Sequence, residues 1–176
     1  MRLIHVSKLE LRDFGERERS PYAILLHTWG KDEVILPQCA SAVRSELGHR
    51  AKIKNCCDLA LSEGHQYLWV DICCIDKSSS AELSETIISM FKWYRDTRIC
   101  YVYLEDVNLL ATAEEAIDSS KHDASMNSDG KKFEKSRWFT RGWTLQELLA
   151  PQIFDSCDCR LTRIAGQCSR SSFFYK

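Results

Sequence analysis

Short apolar runs alternate with helix-patterned or polar stretches along this chain. After a brief apolar opening at Leu3, Ile4 and Val6, followed by charged residues through Arg19, Tyr22 to Leu26 forms a near-continuous apolar run. A run of strand length without polar alternation predicts a strand covered on both faces. Tyr67 to Ile72 and Ile99 to Leu104 repeat the pattern and are rich in aromatic and branched residues, which favour strands. Between the first two runs, Ile53, Cys56, Cys57, Ala60 and Leu61 recur at helical spacing over Ala51 to Ser62, and Gly64 stands where such a helix closes. Between the second and third, Ser79 and Glu82 have the spacing of a capping box. Ile87, Met90, Phe91 and Tyr94 come next at i, i+3, i+4 and i+7, an amphipathic stripe read as core. Residues 31–49 read as a loop with room for a short strand at Glu33–Leu36, and residues 105–135 as an insertion or mobile loop.

The last helical stretch is Ser136 to Pro151, opened by a capping serine and stopped by proline. At 3.6 residues per turn Leu145, Leu148 and Leu149 share one face, and Thr140, Trp143, Thr144 and Glu147 share another. Trp143 and Glu147, four apart, place an indole and a carboxylate in one patch, and Gly142 leaves space beside it. Ile153 and Phe154 come after the proline as a short apolar segment. Strand, helix, strand, helix, strand, loop, helix is the order of a three-layer α/β fold, a parallel sheet with helices on both faces.

Composition narrows the function classes. A length of 176 residues suits one domain. A net charge of −1 without a basic block argues against a nucleic-acid surface. No apolar run approaches the roughly 20 residues of a membrane helix, and the first residues lack the apolar region of a secretory leader, so a cytoplasmic protein is expected. Neither a GxGxxG nor a GxxxxGK[ST] loop is present, which removes the usual nucleotide-cofactor folds. The nine cysteines contain no CxxC spacing. Cys157, Cys159 and Cys168, with His65 or His122, lack any standard zinc pattern, so no metal is expected and the thiols read as reduced and structural.

Several polar residues stand at positions where chemistry is possible. His27 and Trp29 lie at the carboxyl end of the first predicted strand, where open α/β sheets place ligands; they either line a cleft or pack. Asp71, read as lying within the second strand, must find partners to offset desolvation. Those partners are either a ligand or, more readily, Arg141, Arg137 or Arg95. Asp76 is placed to cap the turn before the serine run. Arg141 suits a phosphate or a carboxylate. Trp143 either stacks a flat ring or packs half-buried, and Glu147 either performs chemistry or satisfies a neighbouring arginine.

Four blocks, YAILLHTWG, YLWVDICCID with Glu82 after it, MFKWYRDTRICYVYL and RWFTRGWTLQELLAP, occur in the order found in the fungal heterokaryon-incompatibility (HET) domain. The chain resembles that family over roughly residues 1–155. Residues 156–176 depart from its pattern and read as an atypical, truncated or disordered tail. More remotely the family is similar to Toll/interleukin-receptor (TIR) domains, which implies a flavodoxin-like sheet. Some of those domains cleave NAD, using a glutamate a few residues beyond a tryptophan. By this resemblance Glu147 is the catalytic candidate and His27, Trp29, Asp71, Arg141 and Trp143 the substrate-binding candidates. NAD would be a substrate, with no bound cofactor. The resemblance further implies an effector of programmed cell death that associates with itself and answers to sensor or repeat proteins of an incompatibility system. A non-catalytic homotypic interaction module of the same fold is the alternative.

Overall fold

In the computed structural model of the protein, residues 1–15, 20–30, 49–108, 133–164 and 168–169 are described. In chain order the elements are β1 (Arg2–His5), β2 (Glu10–Asp13), β3 (Ala23–His27) and α1 (His49–Ser62). Next come β4 (Tyr67–Trp69), α2 (Asp71–Cys74), α3 (Ser80–Asp96) and β5 (Ile99–Tyr103). A 3-10 turn (Arg137–Thr140), α4 (Thr144–Leu149), β6 (Ile153–Cys157) and β7 (Cys168–Ser169) complete them. The predicted loop over 31–49, with its possible strand at Glu33–Leu36, falls almost wholly outside the described residues, as does most of the predicted insertion at 105–135.

The strands form one seven-stranded sheet in the order β2-β1-β4-β3-β5-β6-β7. Its centre, β4-β3-β5-β6, is parallel, with Ile24 opposite Trp69 on one side and Cys100 on the other. Counted along the chain these four strands lie in the order second, first, third, fourth, the flavodoxin-like arrangement. The crossover from β3 to β4 runs one way across the sheet and that from β4 to β5 runs back over β3. Right-handed connections therefore put α1 and α3 on opposite faces. Side chains divide accordingly: the Tyr101 hydroxyl reaches Glu63 just beyond α1 at 2.7 Å, whereas neighbouring Cys100 feels the charge of Glu147 in α4. The expected three-layer α/β fold is what the chain adopts.

Local chemistry explains several elements. Gly64 has φ +82°; its N–H meets Leu61 O and the His65 N–H meets Ala60 O, a Schellman closure that releases the chain into β4. Ser79 caps α3 by accepting from Glu82 N. The Glu82 carboxylate does not close a reciprocal box; it takes Asp76 N and pairs with Arg2 instead. Asp76 caps its own turn by accepting from Ser78 N and Oγ, which holds its carboxyl below the usual range.

Other elements depart from the sequence expectation. The β1–β2 hairpin was not anticipated beyond its apolar opening, because β2 (ELRD) is an exposed edge whose charged residues carry no buried pattern. The second apolar run is a strand only to Trp69; Asp71 opens the one-turn helix α2, so it does not sit inside the sheet. A short apolar run alone does not separate a buried strand from a buried helix. Ser136 does cap, but it opens a 3-10 turn, and a break at Arg141–Trp143 and the six-residue α4 come next in place of one helix. Of the two faces of α4, Thr144 and Glu147 are buried, and Leu145 is 67% exposed. The Trp138 side chain takes the interior position, and its carbonyl receives the Thr144 hydroxyl at 2.6 Å. The α3 stripe is core only in part, since Tyr94 is buried with Thr86 and Trp93 while Ile87 and Phe91 are exposed. A Cβ at Gly142 would meet no atom within 4 Å, so packing does not demand glycine there.

The sheet continues past residue 155. Asp158, fully buried, accepts from Arg160 N and Thr162 N. Arg163 reaches back to Asp155 and Glu63, and Ile164 N bonds Ser156 O. Cys56, Cys57, Cys74, Cys100, Cys157 and Cys159 are free thiols, but Cys73 is disulfide-bonded, which corrects the expectation of wholly reduced cysteines.

The β3–β5 register makes Ile24 the centre of the core, with no exposed surface. Replacing it with alanine is expected to cost about 3 kcal/mol from lost burial and the cavity left behind, read as a lowered urea midpoint at unchanged slope.

Candidate functional site

Beside the carboxyl ends of β3 and β4 lies a cleft of about 480 Å³. The carboxyl edge of the strands is the usual ligand side of open α/β sheets. Several segments wall it. Thr28 and Trp29 come from the end of β3; Asp71, Ile75 and Lys77 come from α2 and the turn after it. Leu83, Ile87, Met90 and Tyr94 rise from one side of α3, and Arg141, Gly142, Trp143 and Glu147 come from the broken helix. Ile87 and Met90 of the α3 stripe, with Leu83, therefore form an apolar wall of the cleft, while Phe91 lies outside it.

The first polar group is built around Asp71. Its Oδ2 accepts from Trp29 Nε1 at 2.7 Å and its Oδ1 from Ile72 N at 2.7 Å. His27 lies buried behind it, Nδ1 at 3.9 Å from Oδ1. Asp71 thus finds the partners that burial requires, but they are an indole, a backbone amide and a histidine rather than Arg141, Arg137 or Arg95. Trp29, fixed by its N–H, remains 54% exposed, and the Lys77 ammonium sits 3.6 Å from the centre of its ring.

The second group is Glu147 with Arg141. The carboxylate is 3% exposed and receives both guanidinium nitrogens, Nη1 to Oε2 at 3.1 Å and Nη2 to Oε1 at 2.9 Å. This bidentate geometry is the strong form of the pair. Burial raises the Glu147 pKa above its ordinary 4.5, and Arg141 opposes that rise without cancelling it; Asp71 adds to it. Tyr94 lies among the same charges, and burial with Glu147 and Asp71 keeps its hydroxyl protonated. The cleft therefore contains two carboxylates of different environment, a protonated phenol, two cations and two exposed indoles, Trp29 and Trp143.

The structure brings Trp29, Asp71, Arg141, Trp143 and Glu147 together around one cleft, and places His27 in support of Asp71. Sequence reasoning missed Lys77, which left no signal, and it took Ile87 for core although it is exposed on the cleft wall; Tyr94 is core, as expected, and borders the cleft as well.

An α/β domain with a cleft of this kind beside the carboxyl ends of its strands is matched by the heterokaryon incompatibility protein (HET) family over residues 22–147, and the chain belongs to that family. It is 48% identical over 145 residues to the vegetative incompatibility protein HET-E-1 of Podospora anserina, an alignment covering 80% of this chain and 10% of that protein. The chain thus aligns with about a tenth of this relative's length. No solved structure matches it.

The raised Glu147 pKa has a definite sign. The folded protein holds this proton above pH 4.5, where the unfolded chain has released it, so the stability contribution falls as pH rises from 4.5 through the folded value. Urea midpoints of wild type and Glu147→Gln, compared from pH 4 to 7, should move relative to each other in favour of the variant as pH rises. A pH-independent difference would contradict the raised value.

Proposed function

We propose that this chain is an effector domain of fungal heterokaryon incompatibility, acting in the cytoplasm to trigger programmed cell death, and that it does so by hydrolysing NAD at the nicotinamide–ribose bond. The observation that carries the chemical part is Glu147, a buried carboxylate held by Arg141 at the edge of a cleft walled by two indoles. Family membership supports the biological part, as does the name of the Podospora relative. No described helix is long and apolar enough to cross a membrane.

In this reading the C1′–N bond breaks and its electron pair passes to the pyridinium nitrogen, giving neutral nicotinamide. Positive charge develops on the ribose, where the Glu147 carboxylate stabilises it. Water then adds to C1′, releases a proton and leaves ADP-ribose. Arg141 opposes the effect of burial on Glu147 and so favours its ionised form, and Trp143 and Trp29 offer flat surfaces to the substrate's rings. A single carboxylate suffices because nicotinamide leaves readily. NAD is consumed, so no resident cofactor is required. Sensor or repeat proteins of the incompatibility system would be the upstream partners.

Purified wild type at high protein concentration should deplete NAD and release nicotinamide. Glu147→Ala, shown folded by circular dichroism, should lower the rate at least about a hundredfold, the scale of one lost electrostatic stabiliser. Turnover retained in the folded variant would remove Glu147 from the chemistry.

A second reading, a homotypic signalling module, is favoured by the outer side of α3. Ile88 is 83% exposed and Phe91 also faces solvent; Glu85 precedes them, and Lys92 and Arg95 lie beyond. Two copies packed antiparallel about a two-fold axis would cover the apolar centre and set each acidic end against the partner's basic end. Sedimentation should then show a concentration-dependent dimer that Ile88→Asp abolishes and that weakens with added salt. A monomer at all concentrations would rule this contact out.

A further inference from the structure

Of the cleft's two indoles, Trp29 has the more constrained surroundings, and they point to a particular kind of ligand. Its N–H is tied at 2.7 Å to a carboxylate, Asp71. A hydrogen bond to an anion is short and strong, and it pushes electron density into the indole. The face of the same ring carries the Lys77 ammonium at 3.6 Å from its centre. The ring is thus oriented from its edge by an anion and already covered on its face by a cation, while more than half of its surface remains exposed in the cleft.

We propose that Trp29, Asp71 and Lys77 form a subsite selective for a flat cationic ring, in which Lys77 occupies the platform when the site is free and is displaced by the ligand. A neutral ring entering this place must expel an ammonium from an electron-rich face and supplies no charge in return. A cationic ring replaces one cation with another and gains the larger stacked area. Asp71 is a positioning residue: it holds the indole edge and strengthens its face. The general class, a planar organic cation, comes from the geometry. Its identification as an N-alkylated pyridinium, the oxidised and not the reduced form of a nicotinamide dinucleotide, rests on the NAD-cleavage reading. As the C1′–N bond breaks the ring becomes neutral, the platform's hold on it weakens, and Lys77 returns as nicotinamide leaves.

The test uses 1-methylnicotinamide as the cationic probe and nicotinamide as the neutral one, titrated into the full chain and followed through the Trp29 indole N–H resonance. Wild type should bind the cation about fivefold more tightly than the neutral ring, the scale of one cation–π contact. Lys77→Met, which removes the competitor, should tighten both rings severalfold and leave the cation the tighter of the two. Asp71→Asn, which keeps a hydrogen-bond acceptor but removes its charge, should reduce the preference without abolishing stacking. Trp29→Leu, followed by calorimetry because it lacks the reporting indole, should abolish the preference. Equal binding of the two probes, no binding of the cation, or a Lys77→Met variant that binds the cation no better would overturn the proposal. Because these are equilibrium measurements, they separate from turnover. NAD hydrolysis without a cation preference would sink the subsite and leave the cleavage reading. A cation preference in a chain without turnover would do the reverse.

Discussion

The pairing of Glu147 with Arg141 is the constraint around which the carboxyl half of the cleft is arranged. A carboxylate this deeply buried is tolerated only with a partner that offers geometry as well as charge. The guanidinium supplies both through two near-parallel bonds. The two residues are six apart in sequence. Here the chain turns at Arg141–Trp143 between the 3-10 turn and α4, instead of running straight from Ser136 to Pro151. The break has further effects. Thr144 turns inward to the Trp138 carbonyl, α4 presents Thr144 and Glu147 to the interior, and Leu145 is left in solvent. A polar pair thus decides the orientation of a helix whose apolar residues alone would have turned it the other way.

This outcome shows how far the sequence was legible. The three apolar runs were found because a strand covered on both faces needs a continuous apolar stretch, although the second run is a strand only to Trp69. Gly64 and Ser79 marked real helix ends because each supplies a specific backbone requirement, a left-handed φ and an acceptor for an orphan amide. Failures occurred where polar satisfaction competes with hydrophobic pattern. Asp71 leaves the sheet and begins α2, where its carboxylate bonds the following amide and the Trp29 indole. The side of α3 bearing Ile87 has apolar periodicity without a core element over it, because it walls a cleft. Periodicity records that one side of a helix is apolar, not what covers it.

Of the candidate site residues, those at the carboxyl ends of strands were the easiest to place, since topology alone sends them to the ligand edge of the sheet. Asp71 and Trp29 meet there although 42 residues separate them. Their direct hydrogen bond was not legible, because it depends on where β4 stops. Lys77 was invisible for a related reason: one lysine in a polar turn is ordinary, and only the position of the Trp29 ring beneath it makes it distinctive.

Among the described residues, the cleft's charges include two couples. Arg141 answers Glu147 directly, and Lys77 answers Asp71 through the indole between them. In such an arrangement neither a simple anion nor a simple cation is strongly attracted, because each charge already has a partner at close range, where Coulomb attraction is largest. A ligand competes well only if it replaces one partner in kind and fills the apolar remainder of the wall. A flat cation can do so at Trp29 without disturbing Glu147, since it takes the place of Lys77 rather than of Arg141. One couple is suited to recognition and the other to holding a buried carboxylate in place, and substitutions in one should leave the other's geometry intact.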